Sequence, residues 1–358
     1  MNKKKAIRIL EGQKQKVLNP DIPYTDEWIF ETASYIKDFF GFESTEYSWI
    51  AQFKWHVKTL STDFVSDKKI KEMLDEKPKK VVRFLENCKR TLENKGLYKA
   101  EKKKPTARVA LLIGCVQRVV SPQINESTIR ILTRHGVEVV TMPEIECCGS
   151  LNHHLGKENL AKESFKKNIN LWYEEYLKNG LDAIISNTSG CGTTLKDYGF
   201  IFRENKELKK KAKKISELTK DISEFLDESL KLNFKKEKKS KKYNIAYHSA
   251  CSMQHGQKVH KQPLGLLEKT GNKILNIPDG HICCGSAGTY NILHQDIAKQ
   301  LLKQKVENIN KVKPDLISTG NIGCIMQIAN GINIPIVHTV ELMDWYTGGP
   351  KPKSLDSI

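Results

Sequence analysis

At 358 residues and 39% hydrophobic content the chain has apolar material for two or three modest cores, and no run of eighteen apolar residues that would span a bilayer. Its formal net charge of +17 is carried mainly by lysine, much of it in runs at Lys102 to Lys104, Lys209 to Lys211 and the stretch 235–242. These runs lack interleaved aromatics and any accompanying nucleic-acid motif, so they read as solvated helix faces and linkers and give no nucleic-acid partner.

In chain order, the basic start Met1-Asn2-Lys3-Lys4-Lys5 leads into Ala6-Ile7-Arg8-Ile9-Leu10. That apolar stretch is too short for a secretory signal, and the expected compartment is the cytoplasm. Residues 1–105 read as a helical N-terminal region. Its aromatics, in Trp28-Ile29-Phe30 and in Trp49-Ile50-Ala51-Gln52-Phe53-Lys54-Trp55, are expected to face a core, with a partner-docking surface as the alternative.

From residue 106 the pattern changes to strands alternating with helices. Val109 to Ile113 reads as a strand, Ser127 to His135 as a helix, and Val137 to Met142 as a second strand. A long amphipathic segment follows from Lys157 to Leu177, then a third strand from Asp182 to Ser186, and Ser223 to Asp227 closes the unit. After the lysine-rich linker 235–242 the same order returns: Tyr243 to Tyr247, His260 to Thr270, Lys273 to Ile277, Asp296 to Val312, Asp315 to Ser318, and Val340 to Asp344. Short β-branched strands alternating with helices predict parallel sheets flanked by helices. The expected fold is α/β: two tandem Rossmann-like cysteine-rich units, 106–234 and 243–358, behind the helical region 1–105.

The cysteines sharpen this reading. Cys115 is separated by 31 residues from Cys147-Cys148-Gly149-Ser150, and Cys251 by the same 31 from Cys283-Cys284-Gly285-Ser286. Cys191, in Ser189-Gly190-Cys191, closes the first set, and Cys324, in Ile322-Gly323-Cys324, closes the second. Cys88 alone has no counterpart and reads as incidental. Every patterned cysteine follows a predicted strand, so the four of each half can meet at one sheet edge. Four converging thiolates suit a [4Fe-4S] cluster or a tetrahedral zinc, and spacing alone does not separate the two. The bland alternative is a set of small buried hydrophobes; a vicinal dithiol–disulfide pair is a third reading. Gly149 and Gly285 permit the turn through which both members of a Cys-Cys pair reach one site. His153, His154, His248, His255 and His281 lie near the cysteines and read as local hydrogen-bonding or surface residues, with a role at a metal as the minority reading.

At these residues the sequence resembles the iron-sulfur subunit of bacterial glycolate oxidase. The resemblance rests on Cys147 to Leu155, Thr188 to Gly192, Lys196 to Gly199, Cys283 to Tyr290 and Thr319 to Cys324, and runs from about Arg108 to Trp345. More distantly the doubled unit is similar to the B subunit of heterodisulfide reductase and to a lactate-utilisation protein. The resemblance implies an oxidoreductase subunit whose eight patterned cysteines (Cys115, Cys147, Cys148, Cys191, Cys251, Cys283, Cys284, Cys324) hold one [4Fe-4S] cluster per half, with zinc in one half as an alternative. It implies partners in flavin-containing subunits that carry FAD and oxidise glycolate to glyoxylate, and a peripheral place at the inner membrane face beside the cytoplasmic one. Substrate oxidation is expected on the partner and electron relay on this chain, with no catalytic residue here. The rival functions are a disulfide or thiol reductase of the heterodisulfide type, a lactate-utilisation electron carrier, and a zinc-stabilised assembly module.

Two departures stand out. Heterodisulfide relatives carry a Cys-x-x-Cys last motif, and here Thr188 and Asn321 occupy the earlier positions, which favours a four-ligand site over a larger cluster. Glycolate oxidase iron-sulfur subunits usually begin with a ferredoxin-like domain, and residues 1–105 hold one cysteine and no such run. That leaves three expectations: a truncated gene start, a separate ferredoxin-type chain, or electron transfer without one.

Overall fold

The computed structural model describes residues 2–19, 21, 25–41, 44–53, 67–97, 105–142, 144–145, 147–232, 234, 242–356 and 358. Lys54, Trp55, Lys102 to Lys104 and linker positions 235–241 lie outside the described residues. The chain divides into two compact units, Met1–Thr106 and Ala107–Ile358.

The first unit is helical, with helices Lys3–Leu18, Asp26–Phe40, Thr45–Gln52 and Asp67–Lys95. Asn2, Thr25 and Ser44 cap the first three, each side chain accepting from a backbone N–H three residues on. Ala6, Leu10 and Val17 are buried along one helix, and Val81, Leu85, Cys88 and Leu92 along another. Both series repeat at helical spacing, so two apolar stripes face one core. Trp28 and Ile29 join that core, while Trp49 lies at its margin, stacked on Phe53 and Phe84. Cys88 is fully buried among these side chains, and burial pushes its thiol up, as expected of a structural cysteine.

The second unit contains two four-stranded parallel sheets. In the first, β1 (Ala107–Leu112), β2 (Val137–Val140), β3 (Ala183–Ser186) and β4 (Thr219–Asp221) run in the order β2-β1-β3-β4. In the second, β5 (Asn244–Tyr247), β6 (Lys273–Leu275), β7 (Leu316–Thr319) and β8 (Ile336–His338) repeat it as β6-β5-β7-β8. Val109 pairs with Val139 and Ala183, and Ile245 pairs with Ile274 and Leu316. In both sheets the chain steps from the first strand to one side and then returns to the other. This creates a switch point between β1 and β3 and another between β5 and β7, where loops beyond the strand ends part and leave a crevice.

Each half ends on a fourth strand whose last residue caps the closing helix. Asp221 accepts from Ser223 N–H while its own N–H donates to Glu224, and His338 and Glu341 form the same reciprocal box. One apolar cluster spans both sheets, joining Val109, Ile131 and Phe225 to Ile245, Leu316 and Met343. The halves are therefore bound through a common core.

Candidate metal centres

All eight patterned cysteines lie beyond the carboxyl ends of strands. Cys115 follows β1 and Cys251 follows β5, the latter opening a π-helical turn Ser252–Gln257. The pairs Cys147-Cys148 and Cys283-Cys284 follow β2 and β6. Cys191 and Cys324 sit in the first turns of helices Ser189–Ile201 and Ile322–Ala329, which spring directly from β3 and β7. The sequence reading carried those strands straight to the last cysteine and missed the two helices.

Each half gathers its own four thiols. In the first, Cys115 contacts Cys147, Cys147 contacts Cys148, and Cys148 contacts Cys191. In the second, Cys251 meets Cys283, Cys283 meets Cys284, and the Sγ atoms of Cys284 and Cys324 lie 3.4 Å apart. All nine cysteines are free of disulfides. Cys115, Cys148, Cys284 and Cys324 are buried, and the other four patterned cysteines are half-buried, so each cluster has a sealed floor and an accessible rim.

The turn at each pair depends on glycine. Gly149 has φ of 81° and Gly285 of 92°, a left-handed backbone that L side chains rarely adopt. A Cβ on Gly149 would meet the Phe165 ring at 2.5 Å, and one on Gly285 the Ala298 carbonyl oxygen at 2.5 Å. With the turn so shaped, the N–H of Gly149 donates to Cys147 Sγ and that of Gly285 to Cys283 Sγ, each at 3.3 Å. Thiol hydrogen bonds from Cys115 and Cys148, with this N–H, draw the Cys147 thiol down to about 3. The same arrangement from Cys251, Cys284 and Gly285 takes Cys283 to about 2. Their partners Cys115, Cys148, Cys251 and Cys284 are pushed up, first by donating to a neighbouring thiolate and then by burial. Sulfurs held this close in one cleft share charge poorly unless a cation lies among them, which is the chemistry of a metal or cluster site.

The surroundings of the two clusters differ. Under the first, Asn168 Nδ2 donates to Cys147 O at 2.8 Å and Tyr198 Oη to Cys148 O at 2.7 Å, fixing the pair's backbone. Arg118, three residues after Cys115, is buried beside Cys147, with Nε and Nη1 lacking hydrogen-bond partners. Gln117 Nε2 donates to Asn125 Oδ1 and Asn187 Oδ1 at 2.9 and 2.6 Å, bracing the Cys115 loop. Under the second, the buried Lys305 donates to the carbonyls of Asp279 and Gly280 at 3.3 and 3.2 Å. Burial lowers the Lys305 ammonium, and the nearby Cys284, Cys283 and Cys324 oppose that shift. Sequence reading passed over Arg118, Asn168 and Lys305, because none repeats between the halves: the residue at the Arg118 offset in the second half is Gln254, and Asn168 and Lys305 stand at different distances from their Cys-Cys pairs.

Of the five histidines near the cysteines, His153, His154, His255 and His281 are exposed and only His248 is buried. One of its ring nitrogens and the Sγ atoms of Cys284 and Cys324 all lie within 4.8 Å of one another.

The two clusters approach across a polar seam. Ser189 Oγ and Ser252 Oγ are 2.7 Å apart, Asn321 Nδ2 donates to Ser189 Oγ at 2.7 Å, and Gln257 Nε2 to Ser189 O at 2.9 Å. Thr193 Oγ1 donates to Ser252 O at 2.9 Å. Packing is tight enough that Gly192 leaves no space for a Cβ beside Gln257, nor Gly256 beside Thr193.

Comparison with known proteins agrees with the doubled geometry. The family described as "Cysteine-rich domain" (CCG) matches residues 109–196 and again 245–329. The chain is 35% identical over 239 residues to the glycolate oxidase iron-sulfur subunit of Escherichia coli (strain K12), covering 66% of this chain and 57% of that protein. It is 30% identical over 246 residues to the probable glycolate oxidase iron-sulfur subunit of Bacillus subtilis (strain 168), covering 66% and 54%. Lactate utilization protein A of Geobacillus thermodenitrificans is 28% identical over 244 residues, covering 66% of this chain and 98% of that protein. The chain thus spans about half the length of the glycolate oxidase subunits it matches. The two family matches each fall on the first three strands of one parallel sheet with its four thiols, so the chain carries the CCG cysteine-rich domain twice.

Proposed function

We propose that this chain is the electron-relaying iron-sulfur subunit of an oxidoreductase that acts on a 2-hydroxy acid, with glycolate oxidised to glyoxylate on a separate flavin-containing subunit bearing FAD. Three parts serve that role: the helical region 1–105 and the cysteine-rich units 106–234 and 243–358, joined by the linker 235–242. The observation that carries the reading is the pair of four-thiol clusters in a chain 35% identical to a glycolate oxidase iron-sulfur subunit. The proposed ligands are Cys115, Cys147, Cys148 and Cys191 in one half, and Cys251, Cys283, Cys284 and Cys324 in the other. A [4Fe-4S] cluster bound by such a set supplies one-electron exchange.

The chain's own residues make that exchange workable. Gly149 and Gly285 N–H groups donate toward thiolate sulfur, and Arg118 and Lys305 place buried positive charge beside one cluster each. Thr188 and Asn321, which stand where heterodisulfide relatives have a fifth cysteine, are engaged in hydrogen bonds with Gln117 and Ser189. That occupation supports a four-ligand site and relay rather than disulfide reduction on this chain.

The near-complete coverage of lactate utilization protein A favours a second substrate, lactate, for the flavin partner. Among the described residues no helix is long and apolar enough to cross a membrane, so contact with a membrane-bound acceptor would be peripheral.

The test is anaerobic purification of the full chain followed by iron and acid-labile sulfide analysis and EPR. The expected result is about eight iron and about eight sulfide per chain. Cys147→Ala is expected to lose about half of each. Zinc without sulfide would sink the relay reading. Reduction of the clusters by the co-expressed flavoprotein with glycolate, and not with lactate, decides between the substrates.

A further inference from the structure

His248 occupies a position with no counterpart in the first half. It lies three residues before Cys251, and the residue three before Cys115 is Leu112, an apolar side chain buried in its sheet. His248 N–H donates to Ser318 O at 2.8 Å, which extends the β5–β7 pairing by one step and fixes the residue at the switch point. Its side chain is 1% exposed, neither ring nitrogen makes a hydrogen bond of good geometry, and the ring lies against the Cys324 thiol. Buried imidazoles almost always satisfy at least one nitrogen, and here the groups at hand to do so are cluster thiols. One ring nitrogen and the sulfurs of Cys284 and Cys324 form a triangle no wider than 4.8 Å.

That spacing suits donors around an inorganic centre. A neutral imidazole nitrogen ligates both iron and zinc, and mixed sulfur–nitrogen sets are common for each. In the first half the polar neighbour is instead Arg118, a cation that cannot ligate a metal, and the position corresponding to Arg118 in the second half is the neutral Gln254. We propose that His248 is a nitrogen donor of the second metal centre, standing in for one of its four cysteines, so that each centre keeps four protein donors but the two halves hold different donor sets. The inference rests on the reading of the cysteine clusters as metal centres, but not on which metal fills them.

The full chain is produced anaerobically with 15N-labelled histidine, and its iron, zinc and sulfide are counted. Where the second half holds a cluster, pulsed EPR of the reduced protein reads the nitrogen coupling, with Cys147→Ala removing the first centre's signal. Where it holds zinc, X-ray absorption at the zinc edge reads a nitrogen at about 2.0–2.1 Å beside the sulfurs. The expected result is a histidine nitrogen bound to the metal in the wild type and absent in His248→Gln. Sulfur-only ligation in the wild-type protein overturns the inference without needing any variant to fold. So does a nitrogen signal that persists in His248→Gln, or a coupling weak enough to mean only a hydrogen bond to sulfur. Zinc without labile sulfide would refute the electron-relay function while leaving the nitrogen donor measurable, so the two failures are separable.

Discussion

Asp221 shows how one buried atom sets a pH response. Its Oδ1 accepts from Ser223 N–H at 2.8 Å, while Oδ2 is buried with no partner. Burial raises the carboxyl to about 7, against the resistance of the Ser223 N–H. Between the unfolded value near ~4 and this folded value, the native state holds a proton that the unfolded chain has lost. Stability therefore falls as pH rises through that window, and above pH ~7 the whole penalty is present. Asp221→Asn keeps the accepting oxygen and removes the charge, so its denaturation midpoint should respond less to pH between ~4 and ~7. Above that range the variant should be more stable by about 1–3 kcal/mol. Glu341, also raised to about 7 by burial, contributes alike to both proteins, and the difference between them isolates Asp221. At this scale the cysteine spacing made the four-thiol sets legible in the sequence. Arg118 and Lys305 were not, because a buried cation owes its role to neighbours brought from other strands; His248 stood among five histidines near the cysteines, and only its burial in the fold separates it from the other four.

Among the elements, the first three strands of each half and the helices connecting them were readable because period-3.6 and β-branched runs alternate with clear breaks. The helix Pro122–Arg134 begins five residues earlier than its apolar pattern suggested, with Pro122 in its first turn, a position where proline costs nothing. The short strands β4 and β8 were missed: three residues each carry too little pattern, and they are fixed by pairing to β3 and β7. The Cys-Cys-Gly turns are the elements most sensitive to substitution. Gly285→Ala places a Cβ against a helix carbonyl that cannot move aside, whereas Gly149→Ala meets a ring that can tilt. The expected cost is about 2–4 kcal/mol for Gly285→Ala and less for Gly149→Ala. Each should deplete metal from its own half only, read as metal per chain and as the urea midpoint of the metal-free protein.

For the second unit as a whole, the duplication was plain from the sequence, but the seam joining the copies was not, since serine, asparagine and glycine carry no periodic signal. Besides that seam, Arg130 and Arg134 reach across to the buried carboxylate of Asp344, each at 2.8 Å. Asp344→Asn leaves both guanidinium groups short of their counter-charge. It should lower the stability of the 107–358 unit by about 2–4 kcal/mol, measured by urea unfolding with a domain-specific tryptophan or exchange signal. Gly192 and Gly256 carry a longer consequence. Each admits a side chain, Gln257 or Thr193, from the opposite copy. Neither copy drifts in shape without effect on the other: a bulkier residue at Gly256 meets the short Thr193 side chain, and one at Gly192 displaces the Gln257 amide from Ser189 O. A chimaera that takes one copy from a relative will assemble only if these interlocking pairs are transplanted together.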